Sequence, residues 1–181
     1  MIHLKEDDIN TIWRSLLAIK ENASQGEFHN LSLLLGNSPL KVYVNESETF
    51  LFKDDRIIIS RFPNSINLKG RYLWIEMDSH YNIVSYSNHL FNREELDFFL
   101  NYLPYALLPL KALKENQTYS ISHFAQSLDG KIATATGHSR WISDKENLIH
   151  AHRMRALCDG ILIGGNTLKR DKPRLTVRHV E

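Results

Sequence analysis

The beginning of the chain carries a clear helical pattern. Between Lys5 and Asn22, apolar residues recur at intervals of three or four, which is the spacing of one buried helix face. These positions are Ile9, Ile12, Trp13, Leu16 and Leu17. The pattern predicts an amphipathic helix over residues 5–22.

Short β-favouring segments follow this helix. They are VYV at 42–44, TFLF at 49–52, RIII at 56–59, LWIEM at 73–77 and IVSYS at 83–87. Polar, turn-forming residues at 53–56 and 78–80 separate neighbouring segments, as they do in β-hairpins. We therefore predict an antiparallel meander after the helix.

A second helix is predicted from Arg93 to Leu103. Asn92 can cap its first turn, and Glu95, three residues later, can return the hydrogen bond as a capping box. Helix, meander and helix together indicate a small α+β domain over residues 1–104.

The pattern changes after this domain. Pro104 and Pro109 interrupt the apolar run that begins at Leu103, and the run ends in polar residues. Since proline breaks regular elements, we predict a linker over residues 105–117.

An α/β pattern begins at residue 118 and runs to residue 181. Tyr119–Ala125 is a short β-type segment, and Asp129-Gly130 is a turn signal after it. A Gly-containing loop follows at Gly137.

A helix and a buried strand are predicted next. Ser143 and Glu146 have the spacing of a capping box, which predicts a helix start at Ser143. The apolar segment Gly160–Ile163 then reads as a strand that ends in Gly164-Gly165. Strand, helix, strand and glycine turn are typical of a βαβ unit.

Composition excludes several classes of protein. The net charge is +1, so no overall field favours nucleic acid or an anionic membrane. Cys158 is the single cysteine and cannot form an internal disulfide, which fits a reducing compartment. The N-terminal residues lack an apolar signal core, and no apolar run approaches the ~20 residues of a membrane span. We expect a soluble, cytoplasmic protein.

Candidate chemistry lies in the second half, where each residue alone allows two interpretations. Gly164 and Thr167, after a strand, suit a bound anion or nucleotide, but a glycine turn is equally ordinary. Asp129 is a catalytic acid or a hairpin residue. Arg155 is a ligand contact or a solvated side chain, and Trp141 is a site residue or a core aromatic.

The order of these residues resembles a known family. The segments SLDGKIATATGHSRWIS and HRMRALCDGILIGGNTLKRDKPRLTVR are similar to the C-terminal reductase domain of the riboflavin protein RibD. The matching positions are Ala125, Ser127 to Lys131, Ala133, Gly137, Ser139, Trp141, Ile142, His152, Arg155, Asp159, Gly164, Thr167, Asp171, Pro173, Leu175, Thr176 and Arg178.

This resemblance implies a dihydrofolate-reductase-like α/β fold and a reaction. The reaction is the NADPH-dependent reduction of 5-amino-6-(5-phosphoribosylamino)uracil to its ribitylamino form. The implied cofactor-binding residues are Ala125, Trp141, Gly164, Thr167 and Asp171. The implied substrate-binding residues are Ser139, Arg155, Leu175 and Arg178.

Other roles follow from the same resemblance. Asp129 is the candidate catalytic residue, for polarisation or proton shuttling. The basic residues Lys169, Arg170, Lys172 and Arg174 meet the 2′-phosphate of NADPH or form a solvated loop. The implied partner is a phosphorylated pyrimidine, and family members suggest a homodimer.

Metal chemistry is not expected. A zinc deaminase site needs H-x-E and P-C-x-x-C ligands, which one cysteine cannot supply. His150 and His152 alone are a poor metal site.

Two further functional interpretations stay open. The family's domain is longer than the matching segment, so we expect the chain to be part of a longer protein or to need a partner chain. A binding protein without turnover is the alternative to an enzyme. An interaction role for residues 1–104 is a third possibility.

Overall fold

A computed structural model describes residues 6–35, 41–45, 54–61, 70–137 and 144–180. The chain divides into two compact units, Met1–Tyr119 and Ser120–Glu181. The first unit contains a five-stranded sheet with helices, so the protein is of mixed α and β structure. In the described part, no helix is long and apolar enough to cross a membrane.

The N-terminal helix is confirmed. Helix α1 spans Glu6–Gln25, three residues beyond the predicted end. Its buried apolar residues lie on one side of the helix, as a single packed face requires. They are Ile12, Trp13, Leu16, Ile19 and Ala23.

The sheet has the strand order β2-β1-β3-β4-β5. Its strands are β1 (Asn30–Leu34), β2 (Lys41–Val44), β3 (Arg56–Ser60), β4 (Tyr72–Met77) and β5 (Ile83–Asn88). Strands β2, β3, β4 and β5 confirm four of the predicted segments. The segment at 49–52 lies outside the described residues.

The predicted meander is only partly right. Strands β3 and β4 pair in parallel, whereas the other neighbouring strands are antiparallel. Strand β1 lies between β2 and β3, although the sequence pattern does not predict it. Four of its five residues are buried, so it lacks the polar–apolar alternation that marks a half-exposed strand.

Alternate residues of β3 and β4, which point to one face of the sheet, are apolar. Parallel pairing places Ile57 opposite Leu73 and Ile59 opposite Ile75, and all four side chains are buried. Burial of side chains of this size stabilises the fold by roughly 1.5–3 kcal/mol each. The core of the first unit therefore includes this row of aliphatic side chains.

The β4–β5 connection confirms the predicted turn at 78–80. The Asp78 carboxylate accepts hydrogen bonds from the backbone N–H groups of His80 and Asn82, at 2.7 and 2.9 Å. It also accepts one from the side-chain amide of Asn82 at 2.9 Å. These bonds lower the pKa of Asp78 to about 2, the Asn82 side chain contributing most.

Helix α2 (Arg93–Ala106) begins as predicted. The Asn92 side chain accepts from the backbone N–H of Glu95, and the Glu95 carboxylate accepts from the backbone N–H of Asn92. The helix continues three residues past Leu103 and includes Pro104.

The prediction that the linker has no regular structure is wrong. Helix α3 (Leu108–Glu115) occupies most of it, and its Leu110 is buried. Pro109 lies in the first turn, where the missing N–H has no helical partner to lose. The prolines therefore mark a junction between two helices instead of a break in structure. The functional boundary between the two predicted domains stays a prediction.

The second unit contains helices α4 (Lys145–Leu157) and α5 (Gly165–Asp171). Neither predicted strand forms: Tyr119–Ala125 and Gly160–Ile163 are irregular. A strand needs a neighbour for its backbone hydrogen bonds, and no described segment of this unit pairs with either one. Leu162, predicted to be buried, is 99% exposed. The βαβ unit is thus not formed by the described residues.

The predicted cap of α4 is also displaced. The Asp144 side chain accepts from the backbone N–H of Asn147 at 2.8 Å and is the N-cap. Ser143 itself lies outside the described residues. Because Asp and Ser are equally good N-caps, sequence preference does not separate these neighbours.

Candidate functional site

Asp129 lies in a tight turn, as the Asp-Gly signal predicts. The backbone N–H of Gly130 donates to the carbonyl of Ser127 at 2.9 Å, and Gly130 has φ +79°. A left-handed φ of this size favours glycine. The Ser127 hydroxyl donates to the Asp129 carboxylate, which is exposed. The turn therefore presents an orientated carboxylate at the surface.

Helix α4 supplies a buried histidine. His152 is 1% exposed and shares the buried side of the helix with Met154 and Leu157. Its Nδ1 accepts a hydrogen bond from the backbone N–H of Arg178 at 2.9 Å. An imidazole nitrogen that accepts must be unprotonated, so the ring carries its proton on Nε2.

The surroundings of His152 keep the ring neutral. Burial lowers its pKa first, and the positive charges of Arg155, His179 and Arg178 lower the pKa further. The ring of His179 meets the His152 ring edge-on, with centroids 4.9 Å apart. His179 has φ +64°, so the chain turns sharply directly after Arg178.

Two predicted substrate-binding residues are brought to this histidine. Arg155 is half-buried on α4, one helical turn after His152, and Arg178 is tied to the ring by its backbone. Leu175, a third predicted substrate residue, lies on the same C-terminal segment and is 38% exposed. Two guanidinium groups near one buried histidine form a cationic site suited to a phosphate.

Helix α5 carries three predicted cofactor residues. Gly164 is its N-cap, Thr167 lies in its first turn and Asp171 is its last residue. The Thr167 hydroxyl lies 3.8 Å from the position that a Cβ on Gly164 would occupy. Ala125, the other described cofactor candidate, is half-buried in the irregular segment before the Asp129 turn.

A contact joins α5 to the preceding glycine loop. The Arg170 guanidinium lies so close to Gly137 that a Cβ there would be 2.6 Å from its Nη1. Gly137 has φ +85°, so a side chain would also be strained. Gly137 is thereby close to α5. Ser139 and Trp141 themselves lie outside the described residues.

A second pair of histidines lies on another side of α4. The rings of His123 and His150 are 5.2 Å apart, and His123 Nε2 is 3.1 Å from the Asn147 side-chain oxygen. Burial, followed by the charges of His123 and Arg153, lowers the pKa of His150. Among the described residues, no three His, Cys, Asp or Glu side chains form a group that could hold a metal ion.

Comparison with known families matches the same part of the chain. Residues 118–181 match the family model of the RibD C-terminal domain. This segment belongs to the RibD C-terminal domain family.

Curated relatives match the same part of the chain. The 2,5-diamino-6-ribosylamino-4(3H)-pyrimidinone 5′-phosphate reductase of Methanothermobacter thermautotrophicus is 52% identical over 63 residues, covering 35% of this chain and 29% of that protein. The riboflavin biosynthesis protein RibD of Synechocystis is 42% identical over 64 residues, covering 35% and 17% respectively. The chloroplastic PYRR of Arabidopsis thaliana is 44% identical over 61 residues, covering 34% and 10%.

The matching segment is thus a minor part of each protein. The chain spans between about a tenth and three tenths of the length of these relatives. No solved structure matches the chain significantly.

Within the RibD-like segment, the candidate residues occupy three places. Asp129 lies in the exposed turn, Arg155 and Arg178 lie around His152, and the α5 residues follow Gly164. His152 has no predicted role in the sequence, although it belongs to the H-x-x-R element that carries the resemblance. The spacing of that element, which places His152 and Arg155 one turn apart, is the signal that could have indicated it.

Proposed function

We propose that the RibD-like segment takes part in the NADPH-dependent reduction of 5-amino-6-(5-phosphoribosylamino)uracil to its ribitylamino form, in riboflavin biosynthesis. The observation that carries this proposal is the convergence of Arg155 and Arg178 on His152, within a segment that matches the family. A relative matched over this segment is named as a reductase of a ribosylamino-pyrimidinone 5′-phosphate.

The two arginines would bind the phosphate of the substrate. Guanidinium groups form charge-assisted, forked hydrogen bonds with phosphate oxygens, and they stay charged at any physiological pH. Ser139 would add a hydroxyl, and Leu175 would contact the apolar edge of the sugar or base. Partial burial of Arg155 strengthens such an interaction, because water screens it less.

The residues around α5 would bind the cofactor. NADPH supplies the hydride when it is bound, and the protein's main task in such reactions is orientation. Gly164 leaves space for a close approach, the Thr167 hydroxyl can donate to a ribose or phosphate, and Asp171 can accept from a ribose hydroxyl. Ala125 and Trp141 would line the nicotinamide side. Arg170, close to Gly137, is available for the 2′-phosphate.

Asp129 would act on the sugar. Its carboxylate accepts from Ser127, which fixes its orientation in the turn. Held there, it can accept the proton of the amino nitrogen on C1 and pass it to the ring oxygen as the C1–O bond breaks, which leaves a C1=N bond to accept the hydride.

The remaining features of the proposal concern the whole protein. We include in it a dihydrofolate-reductase-like fold for the complete domain, a homodimer and a cytoplasmic location. The expected ligands are small molecules, and a net charge of +1 gives no reason to expect nucleic acid or membrane binding.

The alternative proposal is a protein that binds a nucleotide or sugar phosphate without turnover. The cationic site around His152 supports it equally, because binding needs no hydride donor. The role of residues 1–104 as an interaction domain is a separate proposal, for which removal of that region should abolish partner binding only.

Paired substitutions test the proposed site. Arg155→Ala and Arg178→Ala should each weaken binding of the phosphorylated substrate roughly ten- to hundredfold, since a hydrogen bond to a charged group contributes about 1.5–3 kcal/mol. NADPH affinity should change little. Calorimetric titration with each ligand, alongside an assay of NADPH oxidation, measures both effects.

A neighbouring arginine provides the matched control. Arg153 lies on the same helix, between His152 and Met154, and Arg153→Ala should leave substrate affinity close to that of the wild type. Equal losses of NADPH and substrate affinity in the Arg155 and Arg178 variants would contradict the assignment. Substrate binding without NADPH oxidation would favour the non-catalytic alternative.

A further inference from the structure

The role of His152 goes beyond the residues that the resemblance assigns to the site. The buried residues of α4 are His152 and two apolar residues. A buried histidine loses its hydrogen bonds to water and needs a protein partner in their place. That partner is the backbone N–H of Arg178, 26 residues further along the chain. One hydrogen bond thus joins α4 to the C-terminal segment.

We propose that His152 is a positioning residue: through Nδ1 it holds the backbone of Arg178, so that the Arg178 and Arg155 guanidinium groups act together on one phosphate. The inference rests on the proposed function only for the identity of the natural ligand.

The geometry of the helix supports this role. Residues three apart on a helix lie on neighbouring parts of its surface, so His152 and Arg155 share one side of α4. The bond fixes the main chain of Arg178 and not its side chain, which leaves the guanidinium available to a ligand. Because the backbone of Arg178 is already fixed, a ligand that binds the guanidinium group loses less conformational entropy of the protein.

The bond also requires one protonation state. A histidinium has two N–H donors and no acceptor, so protonation of Nδ1 breaks the contact with the Arg178 N–H. The charged or titratable groups that face the ring are Arg155 on its own helix, and Arg178 and His179 on the C-terminal segment. Together with burial, these groups lower the pKa of His152 and so oppose protonation of the ring.

Loss of positioning should therefore appear at low pH. As the pH falls through the pKa of folded His152, which lies below the ordinary value of 6.5, the acceptor disappears and Arg178 is released. Phosphate affinity in the wild type should fall over this interval by more than titration of the ligand itself explains.

The experiment uses two variants of His152 in the full chain. His152→Leu fills a similar space without an acceptor, whereas His152→Asn places an amide oxygen near the position of Nδ1. Ribose 5-phosphate is the probe, and calorimetry measures its dissociation constant. The pH is varied from about 5 to 8, because histidine titrates in this interval. His150→Leu, two residues away on the same helix, is the matched control.

The expected results separate positioning from a general structural effect. His152→Leu should weaken ribose 5-phosphate binding roughly twofold to tenfold, the equivalent of one ordinary hydrogen bond. His152→Asn should recover most of the affinity and lose the additional pH dependence. NADPH affinity and the His150→Leu variant should match the wild type.

A spectroscopic measurement covers the case in which His152→Leu fails to fold. The ring-nitrogen NMR signals of wild-type His152 should show the tautomer with its proton on Nε2, and the Arg178 amide should shift when the ring titrates. A ring protonated on Nδ1 at neutral pH would overturn the inference, whatever the stability of the variants.

Other outcomes are equally decisive. Equal affinities in wild type, His152→Leu and His152→Asn would overturn the inference, as would a wild type that does not bind ribose 5-phosphate. If the wild type binds the probe in a His152-dependent manner but does not oxidise NADPH with the pyrimidine substrate, the inference holds and the proposed reductase function fails. If the wild type reduces the substrate and the His152 variants do so with unchanged KM, the function holds and the inference fails.

Discussion

Asp78 organises the β4–β5 turn with one carboxylate. Its two oxygens accept three hydrogen bonds, one from His80 and two from Asn82, and this arrangement favours the ionised form. Tyr81, within the same turn, has φ +60° and is nevertheless 2% exposed. The carboxylate thus helps to hold a residue in an unfavourable backbone conformation, with its ring buried.

The lowered pKa of Asp78 gives a pH-dependent contribution to stability. Because the folded pKa is about 2 and the unfolded value is 3.8, this contribution is complete above 3.8 and is lost as the pH falls towards 2. Asp78→Asn should therefore lower the melting temperature at neutral pH, and its difference from the wild type should shrink in acid. Thermal unfolding followed by circular dichroism measures both.

A surface carboxylate serves as the control for this change. Asp54 is exposed in the bend before β3, and Asp54→Asn should leave the melting temperature nearly unchanged at both pH values. A constant difference between Asp78→Asn and the wild type across the acid range would show that charge is not the cause.

Single residues could be predicted where chemistry is local. The turns at Asp78 and at Asp129-Gly130 follow from short-range preferences, and the structure forms both. The pairing of His152 with Arg178 could not be predicted, because 26 residues separate them and no periodicity connects a helix to a distant backbone N–H. The family resemblance supplied Arg155 and Arg178 as candidates but not the contact that brings them together.

The capping box of α2 is a testable element of the first unit. Asn92 and Glu95 satisfy two backbone N–H groups that otherwise lack helical partners. Asn92→Ala should lower the free energy of unfolding of this unit by about 1 kcal/mol. Urea denaturation, with the slope held common to all variants, measures the change.

The same helix offers a control for this substitution. Asn101 is exposed in the interior of α2, where alanine has the higher helix propensity, so Asn101→Ala should be neutral or slightly stabilising. A loss in Asn101→Ala as large as that in Asn92→Ala would indicate a general effect of removing an amide and would contradict the role of the cap.

At the level of elements, local signals succeeded and long-range pairing did not. Helices α1 and α2 have strong periodicity, and α2 has a cap, so their positions follow from the sequence. The parallel pairing of β3 with β4 depends on contacts between segments, for which strand preference alone gives no direction. The linker was predicted from Pro104 and Pro109, but the effect of a proline depends on its position in a helix. Helix α2 continues through Pro104, and Pro109 lies in the first turn of α3.

The two units differ in how much apolar surface they bury. Of the buried apolar side chains in the described part of the chain, only Met154 and Leu157 belong to Ser120–Glu181. In the same unit, Phe124 is 71% exposed, Leu128 112% and Leu162 99%. A small core with exposed apolar side chains provides little hydrophobic stabilisation against the entropy of the chain. We therefore expect the second unit to open more readily than the first.

Hydrogen exchange tests this difference and links it to the proposed function. Amides of α4 should exchange through openings of lower free energy than amides of β3 and β4. Substrate at a hundred times its Kd should raise the opening free energy of the second unit by about 2.7 kcal/mol, because the ligand binds only the folded form. The first unit should not respond, since the candidate residues all lie between Ala125 and Arg178.

A core substitution in the first unit completes this test. Leu16 is fully buried on α1, and Leu16→Ala should lower the protection of the first unit by roughly 2–5 kcal/mol. Protection of α4 and its gain on adding ligand should stay as in the wild type if the units are energetically separate. A parallel loss of ligand protection in α4 would instead show that the site depends on the folded first unit, and residues 1–104 would then support the RibD-like segment directly.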